Sequence, residues 1–289
     1  MFEKKLRALR RALRMLHASR QPLNADVPND GTAYSGVNAY YRRIRRRSSG
    51  AFRPAYTWGV LHSAHMARVL GIERISVVEF GVAGGNGLMA LDRLAPLVHE
   101  ALGVAVDVYG FDTGSGLPPP TDYRDLPNLF APGTYIIDEV ALRKNLKNAT
   151  LIIGDIADTI GPFMQSAPSP IGFIAVDVDF YRSTVECLKI FELDQRHLLP
   201  RVHCFFDDVL GFTYSHDNGE RLAINEFNER RNGVTLSPIF GLRHYVPRSE
   251  FHANWTEKMF LAHVVGHDLY TRPDGLITDP EKPLSIVGR

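Results

Sequence analysis

Four aspartates stand in two tight groups, Asp177-Val178-Asp179 and Asp207-Asp208. Each group closes an apolar run. Ile171 to Val176 and Val202 to Phe206 read as strands, the first almost wholly apolar, as a buried parallel strand should be. In open α/β sheets, ligands bind outside the carboxyl ends of the strands. Neighbouring strands lie only ~4.8 Å apart, so the four carboxylates are expected to converge. Unpaired, they would repel one another and some would hold protons. A hard divalent cation resolves the repulsion. Mg²⁺ prefers oxygen ligands and keeps positions for water or substrate. A single Asp at a strand end is commonly a helix cap or turn residue. Here Ser183 lies nearer the start of the following helix and is the better cap.

A second stretch faces the same rim. Ile75 to Gly87 opens with β-branched residues and then places glycine at 81, 84, 85 and 87. Leu88, Leu91 and Leu94 follow at helical spacing, so the segment reads as strand, tight loop, helix. Glycine lets the backbone take positive φ and approach a ligand, and the helix offers free N–H groups at its start. Glu79 sits at the strand end. The dinucleotide fingerprint would need glycine where Ala83 and Asn86 stand. The next strand, Val104 to Phe111, ends at Asp112, where a carboxylate can accept from both ribose hydroxyls. Asp112 lies beyond the ~20 residues expected of a dinucleotide fold.

The elements that must position these groups alternate. Thr57 to Leu70 reads as a helix closed by Gly71. Short strands are expected at Leu151–Ile153, Ile171–Val176 and Val202–Phe206, with helices at Val140–Leu146, Asp158–Gln165 and Ser183–Leu193. Such alternation means α/β with a parallel sheet. Gly241–Val246 and Met259–Val264 read as strands of an antiparallel edge. The irregular stretch from Gly114 to about Pro132 is long for a plain connection and reads as a lid.

The charge is unevenly placed. Residues 1–50 carry 12 Lys/Arg against 3 Asp/Glu, and the remainder 21 against 29. The acidic body disfavours a nucleic-acid partner. Phe2, Leu6, Leu9, Leu13 and Leu16 form one face of a basic amphipathic helix over residues 2–17. It is expected to dock on its own domain or a partner subunit, giving a homo-oligomer, with an anionic membrane surface as the alternative. Gln21 to Ala51 reads as a connecting arm containing the run Arg42 to Arg47. This sets an arm at 1–52 and the main domain at 53–289. No run reaches the ~18 apolar residues of a membrane span. Cys187 and Cys204 are too few for a disulfide scaffold and read as buried thiols, with a cytoplasmic location as the default.

Glu79-x-Gly81-x-Ala83-x-Gly85 resembles the first motif of class I S-adenosylmethionine-dependent methyltransferases. Asp177-Val178-Asp179-Phe180-Tyr181-Arg182-Ser183-Thr184 resembles the Asp-x-Asp-x-Tyr-x-Ser-Thr signature of the macrocin O-methyltransferase family, which methylates sugars of macrolides and related natural products. Phe206-Asp207-Asp208 matches its paired aspartates. Phe111 to Pro118 is similar to its Asp-Ser-Phe-x-Gly-Leu-Pro segment, with Gly114 where an aromatic is usual. Gly219 through Phe227 resembles the helix after its metal site. The likeness runs from about Val77 to Phe227. It implies a doubly wound, mostly parallel seven-stranded sheet, Rossmann-like, with an N-terminal helical arm. It implies S-adenosylmethionine on Glu79, Gly81, Ala83, Gly85 and Asp112, its adenine held by Asp155 and Ile156. It implies Mg²⁺ on Asp177, Asp207 and Asp208, with Asp179 as general base.

The reaction so implied moves a methyl group to a hydroxyl of a small molecule. Two adjacent hydroxyls can chelate a metal, so a sugar or other vicinal diol is the expected acceptor. A metal-dependent catechol methyltransferase is the nearest rival. An NAD-dependent oxidoreductase is disfavoured by the glycine pattern and by the distance to Asp112. A degenerate, non-enzymatic fold anchored by its basic arm is disfavoured by acidic residues at all four strand ends.

Overall fold

The computed structural model describes residues 35–48, 52–230 and 232–273. The basic amphipathic helix expected over residues 2–17 lies outside them.

Within the stretch read as a connecting arm, the chain is helical over Ser35–Arg47 (α1). Val37, Tyr41 and Ile44 recur at steps of four and three and are all buried. They join the core that covers Pro54–Leu70 (α2). The arginine run belongs to this docked helix: Arg47 pairs with Glu100 at 2.6 Å, and Arg45 pairs with Glu250. The exposed Arg47–Glu100 pair contributes ~0–1 kcal/mol, whereas Arg45 reaches a glutamate that is itself buried. A buried Val or Ile side chain contributes ~1.5–3 kcal/mol, so the apolar seam is the main part of what seats α1.

The strands are Arg74–Phe80 (β1), Ala105–Asp112 (β2), Thr150–Ile153 (β3), Ile171–Val176 (β4), Leu198–Phe206 (β5), Val234–Pro238 (β6) and Met259–Val264 (β7). They form one seven-stranded sheet in the order β3-β2-β1-β4-β5-β7-β6. The first five are parallel, and β7 runs antiparallel to both β5 and β6. Asn86–Leu102 (α3) follows β1, Glu139–Asn145 (α4) and Ile156–Gln165 (α5) flank β3, Tyr181–Leu188 (α6) follows β4, and Gly219–Glu229 (α7) precedes β6. This is the doubly wound, mostly parallel sheet expected.

The strand periodicity of two explains the layers. Ile75 and Val77 face a core shared with α1, α2 and α3, while Val78 and Phe80 face one shared with α5, α6 and α7. Both sides of β1 are dry, which is why its sequence lacks polar alternation. Cys187 and Cys204 are buried free thiols.

Two local expectations are corrected. Gly241–Val246 is not a strand: Gly241 takes φ 72° and opens a single 3₁₀ turn, Leu242–His244. The edge strand is Val234–Pro238 instead. Ser183 is not a cap, because α6 begins at Tyr181 with Phe180 in the N-cap position and no side-chain cap.

Among the described residues, no helix is long and apolar enough to cross a membrane.

Candidate functional site

The sheet order puts β1 between β2 and β4, so the chain's direction of progression reverses there. The crevice at this switch is where an open sheet binds ligands. A cleft opens at these carboxyl ends, lined by Gly81, Ala83, Asp112, Ile156, Asp177 and Asp179 among others.

Asp177 continues the ladder one residue past β4, its N–H donating to Phe80 O at 2.9 Å. Asp179 takes φ 61°, a left-handed conformation that Asp tolerates better than most side chains. Asp207 and Asp208 form the 3₁₀ turn that follows β5. Asp177, Asp207 and Asp208 each bring one carboxylate oxygen within 4.8 Å of the others.

Two of the three, Asp207 and Asp208, are held by neighbouring groups. Lys258 Nζ donates to Asp207 Oδ1 at 2.9 Å. Tyr214 donates its hydroxyl to Asp208 Oδ1 at 2.6 Å. The Asp208 N–H donates to Glu220 Oε2 at 2.9 Å, from a glutamate that is fully buried in α7. Asp208 Oδ2 is buried with no hydrogen-bond partner.

The protonation follows from this crowding. Burial, then the charges of Asp207 and Asp208, push Asp177 up to about 7. Burial, then Asp208, Asp177 and Asp207, push Asp179 up to about 8. Burial also raises Asp208, against the bond from Tyr214. Even with Lys258 beside Asp207, Asp177 and Asp179 therefore hold protons near neutrality.

Asp112 organises the loop beside this cluster. Its Oδ2 accepts from the N–H groups of Val82 and Ala83, both at 2.9 Å, and its Oδ1 accepts from Gly114 at 2.7 Å. The loop after β1 is thus tied to the end of β2. Two of the glycines have internal reasons. A Cβ on Gly81 would overlap the carbonyl oxygen of Asp177, and one on Gly87 would overlap Glu79 Oε1. Close approach of β1 to β4, and of α3 to β1, therefore accounts for both.

The remaining sequence-named residues are less central. Glu79 is buried behind the loop, its Oε1 accepting from the Tyr56 hydroxyl at 2.8 Å. Gly85 faces Leu142. Asp155 is exposed and caps α5, accepting from the Ala157 N–H at 2.9 Å. None of these three lines the cleft.

Sequence reasoning missed Tyr214, Glu220, Lys258 and Tyr135. The last lines the cleft with φ 67°, half exposed, just beyond the Gly114 to Pro132 stretch read as a lid. Glycines on both sides of Tyr214 were the one available signal. Lys258 left none, because its partner lies 51 positions away.

No family model and no curated protein matches the chain. Solved structures do. The chain is similar to CalS11, a calicheamicin methyltransferase, at 19% identity, with 78% of this chain and 87% of that one covered and a TM-score of 0.46. It is similar to the O-methyltransferase NovP at 16% identity, covering 58% and 69%, with a TM-score of 0.43. An O-methyltransferase from Bacillus cereus in complex with SAH is 13% identical, covering 74% and 85%, with a TM-score of 0.40.

Proposed function

We propose that this protein is an O-methyltransferase that moves a methyl group from S-adenosylmethionine to a hydroxyl of a small molecule, with Mg²⁺ at the acceptor end. The acceptor is a sugar or another vicinal diol. One observation carries the reading. The three clustered oxygens of Asp177, Asp207 and Asp208 stand next to a cleft walled by Gly81, Ala83, Asp112 and Ile156.

The residues suit both groups. An all-oxygen donor set with a buried, unpartnered Asp208 Oδ2 is the chemistry a hard cation takes. Asp177, Asp207 and Asp208 would hold it. When bound, the cation offsets negative charge developing on the acceptor oxygen. For the cofactor, Asp112 faces a cleft whose walls include the apolar Ile156 and Val178. Gly81 and Ala83 supply backbone rather than bulk at the loop. When bound, S-adenosylmethionine supplies a methyl made electrophilic by its sulfonium.

The chain's own residues do the rest. Asp179 lines the same cleft and takes the proton from the acceptor hydroxyl, a step worth ~10²–10⁴ in rate for a positioned base. The Asp112 bonds to Val82 and Ala83 fix the loop before any ligand arrives. Fixed geometry of this kind lowers the entropic cost of aligning two reactants. Tyr135 lines the cleft, within electrostatic reach of the four aspartates.

Transfer of a labelled methyl from S-adenosylmethionine to a panel of glycosides and catechols tests the reading, with and without chelator. Chelator-sensitive labelling of glycosides is expected. Labelling of catechols alone would move the acceptor class, and transfer indifferent to chelator would remove the metal.

A further inference from the structure

The loop between the Asp207–Val209 turn and α7 holds one tyrosine with unusual care. An added Cβ on Gly211 would meet Tyr214 Cδ2 and Cε2 at 3.1 and 3.2 Å. One on Gly219 would lie 3.9 Å from Cδ1. The ring therefore lies in a slot between two residues without side chains. The backbone around it is pinned by its own polar groups. Asn218 Oδ1 accepts from the Ser215 N–H at 2.9 Å, and Asn218 Nδ2 donates to Thr213 O at 3.4 Å. The Asp217 N–H donates to Ser215 Oγ at 3.1 Å.

This construction delivers the Tyr214 hydroxyl to Asp208 Oδ1 at 2.6 Å, the length of a charge-assisted bond. From the other side, Glu220 Oε2 takes the Asp208 N–H. The backbone and one carboxylate oxygen of Asp208 are thereby fixed. Oδ2 is the remaining atom, buried and with no donor bonded to it while the neighbouring Asp179 carboxyl, the other group that hydrogen-bonds this side chain, is ionised.

We propose that Tyr214 is a positioning residue for the cation: it locks the Asp208 carboxylate so that Oδ2 faces the space shared with Asp177 and Asp207. The inference rests on the metal reading above. Without the hydroxyl, the Asp208 carboxylate loses its one tyrosine restraint, and its orientation must be set when the cation binds. Partners that orient metal ligands are typically worth ~10–100-fold in affinity. A tyrosine that only filled its slot would lose nothing on conversion to phenylalanine.

The test is calorimetric titration of Mg²⁺, and of Mn²⁺ followed by its paramagnetic resonance, into wild type, Tyr214→Phe, Asp208→Asn and the double variant. Tyr214→Phe keeps the ring, so S-adenosylmethionine affinity should stay at the wild-type value while the Mg²⁺ Kd rises by about 10–100-fold. On the Asp208→Asn background the same change should do little more, because the bond it removes acts through Asp208. Gly211→Ala, which crowds the ring and strains the loop backbone at φ 154° while keeping the hydroxyl, should weaken Mg²⁺ in the same direction. Equal Mg²⁺ affinity in wild type and Tyr214→Phe would overturn the positioning role alone. Wild-type protein that binds S-adenosylmethionine but no divalent ion would overturn the metal reading and the inference with it.

Discussion

Tyr56 donates its hydroxyl to Glu79 Oε1 across 2.8 Å, inside a core where Glu79 is 2% exposed. Burial pushes the Glu79 carboxyl up to about 8, even though the Tyr56 bond favours its ionised form. The folded protein thus holds this proton through neutrality, while the unfolded chain releases it near 4.5. A raised acid gives stability that is whole below about 4.5 and is lost progressively as pH rises to about 8. Glu79→Gln keeps the acceptor for Tyr56 and removes the titration. Denaturant unfolding across this range should show the variant losing less stability with pH than wild type. Parallel curves for the two proteins would contradict the assignment.

Gly87 and Gly84 separate packing from flexibility. Gly87→Ala places a Cβ against Glu79 Oε1, which is pinned and buried. The clash outweighs the ~1 kcal/mol that Ala gains over Gly in a helix, so a net loss of about 1–3 kcal/mol is expected. Gly84 has nothing within 4 Å of an added Cβ. Gly84→Ala should be neutral, or more stable by ~0.4–1 kcal/mol. Thermal unfolding of the pair checks both.

The two glycines differ in a way that their sequence context does not reveal, and the same divide runs through the rest of the chain. The strand ends that carry Asp112, Asp177, Asp179, Asp207 and Asp208 were legible, because an apolar run closed by an acid marks the carboxyl end of a buried strand in an α/β chain. Their convergence followed from strand spacing. α1 was not legible: arginines hide a seam of only Val37, Tyr41 and Ile44. At Gly241–Val246 the apolar spacing suited a strand, and a left-handed glycine decided otherwise. The glycines at 81 and 87 suggested room for a ligand, whereas each answers to an atom of its own chain. The Tyr214 contact depends on the path of a loop that flanking glycines mark but do not fix.

Asp179→Asn tests the base. The position is left-handed at φ 61°, which Asn also tolerates, so the fold should persist. Turnover should fall by ~10²–10⁴ with cofactor affinity nearly intact. The sign of the pH effect is set by the upward shift of Asp179 to about 8. Activity should rise with pH as this group ionises. A nearby cation favours the ionised form, so saturating Mg²⁺ should move the acidic limb of the profile to lower pH. Initial rates across pH at low and saturating Mg²⁺ are the check, and a limb that stays in place would assign it elsewhere.

Asp112→Ala should loosen the loop that the cofactor needs. Val82, Ala83 and Gly114 all lose an acceptor. A lost partner for a buried N–H costs about 1–3 kcal/mol, and water can replace part of it at the cleft. Unfolding should shift by that order, and cofactor affinity should drop at least about tenfold for the same reason. Unchanged affinity at reduced stability would confine Asp112 to holding the loop.

Calorimetric titration of the wild-type protein with S-adenosylmethionine tests the central claim most directly. One site per chain is predicted, with competition by the demethylated product and none by NADH. Folded protein that gives no heat with either S-adenosylmethionine or its product would contradict the reading of the cleft as a methyl-donor site.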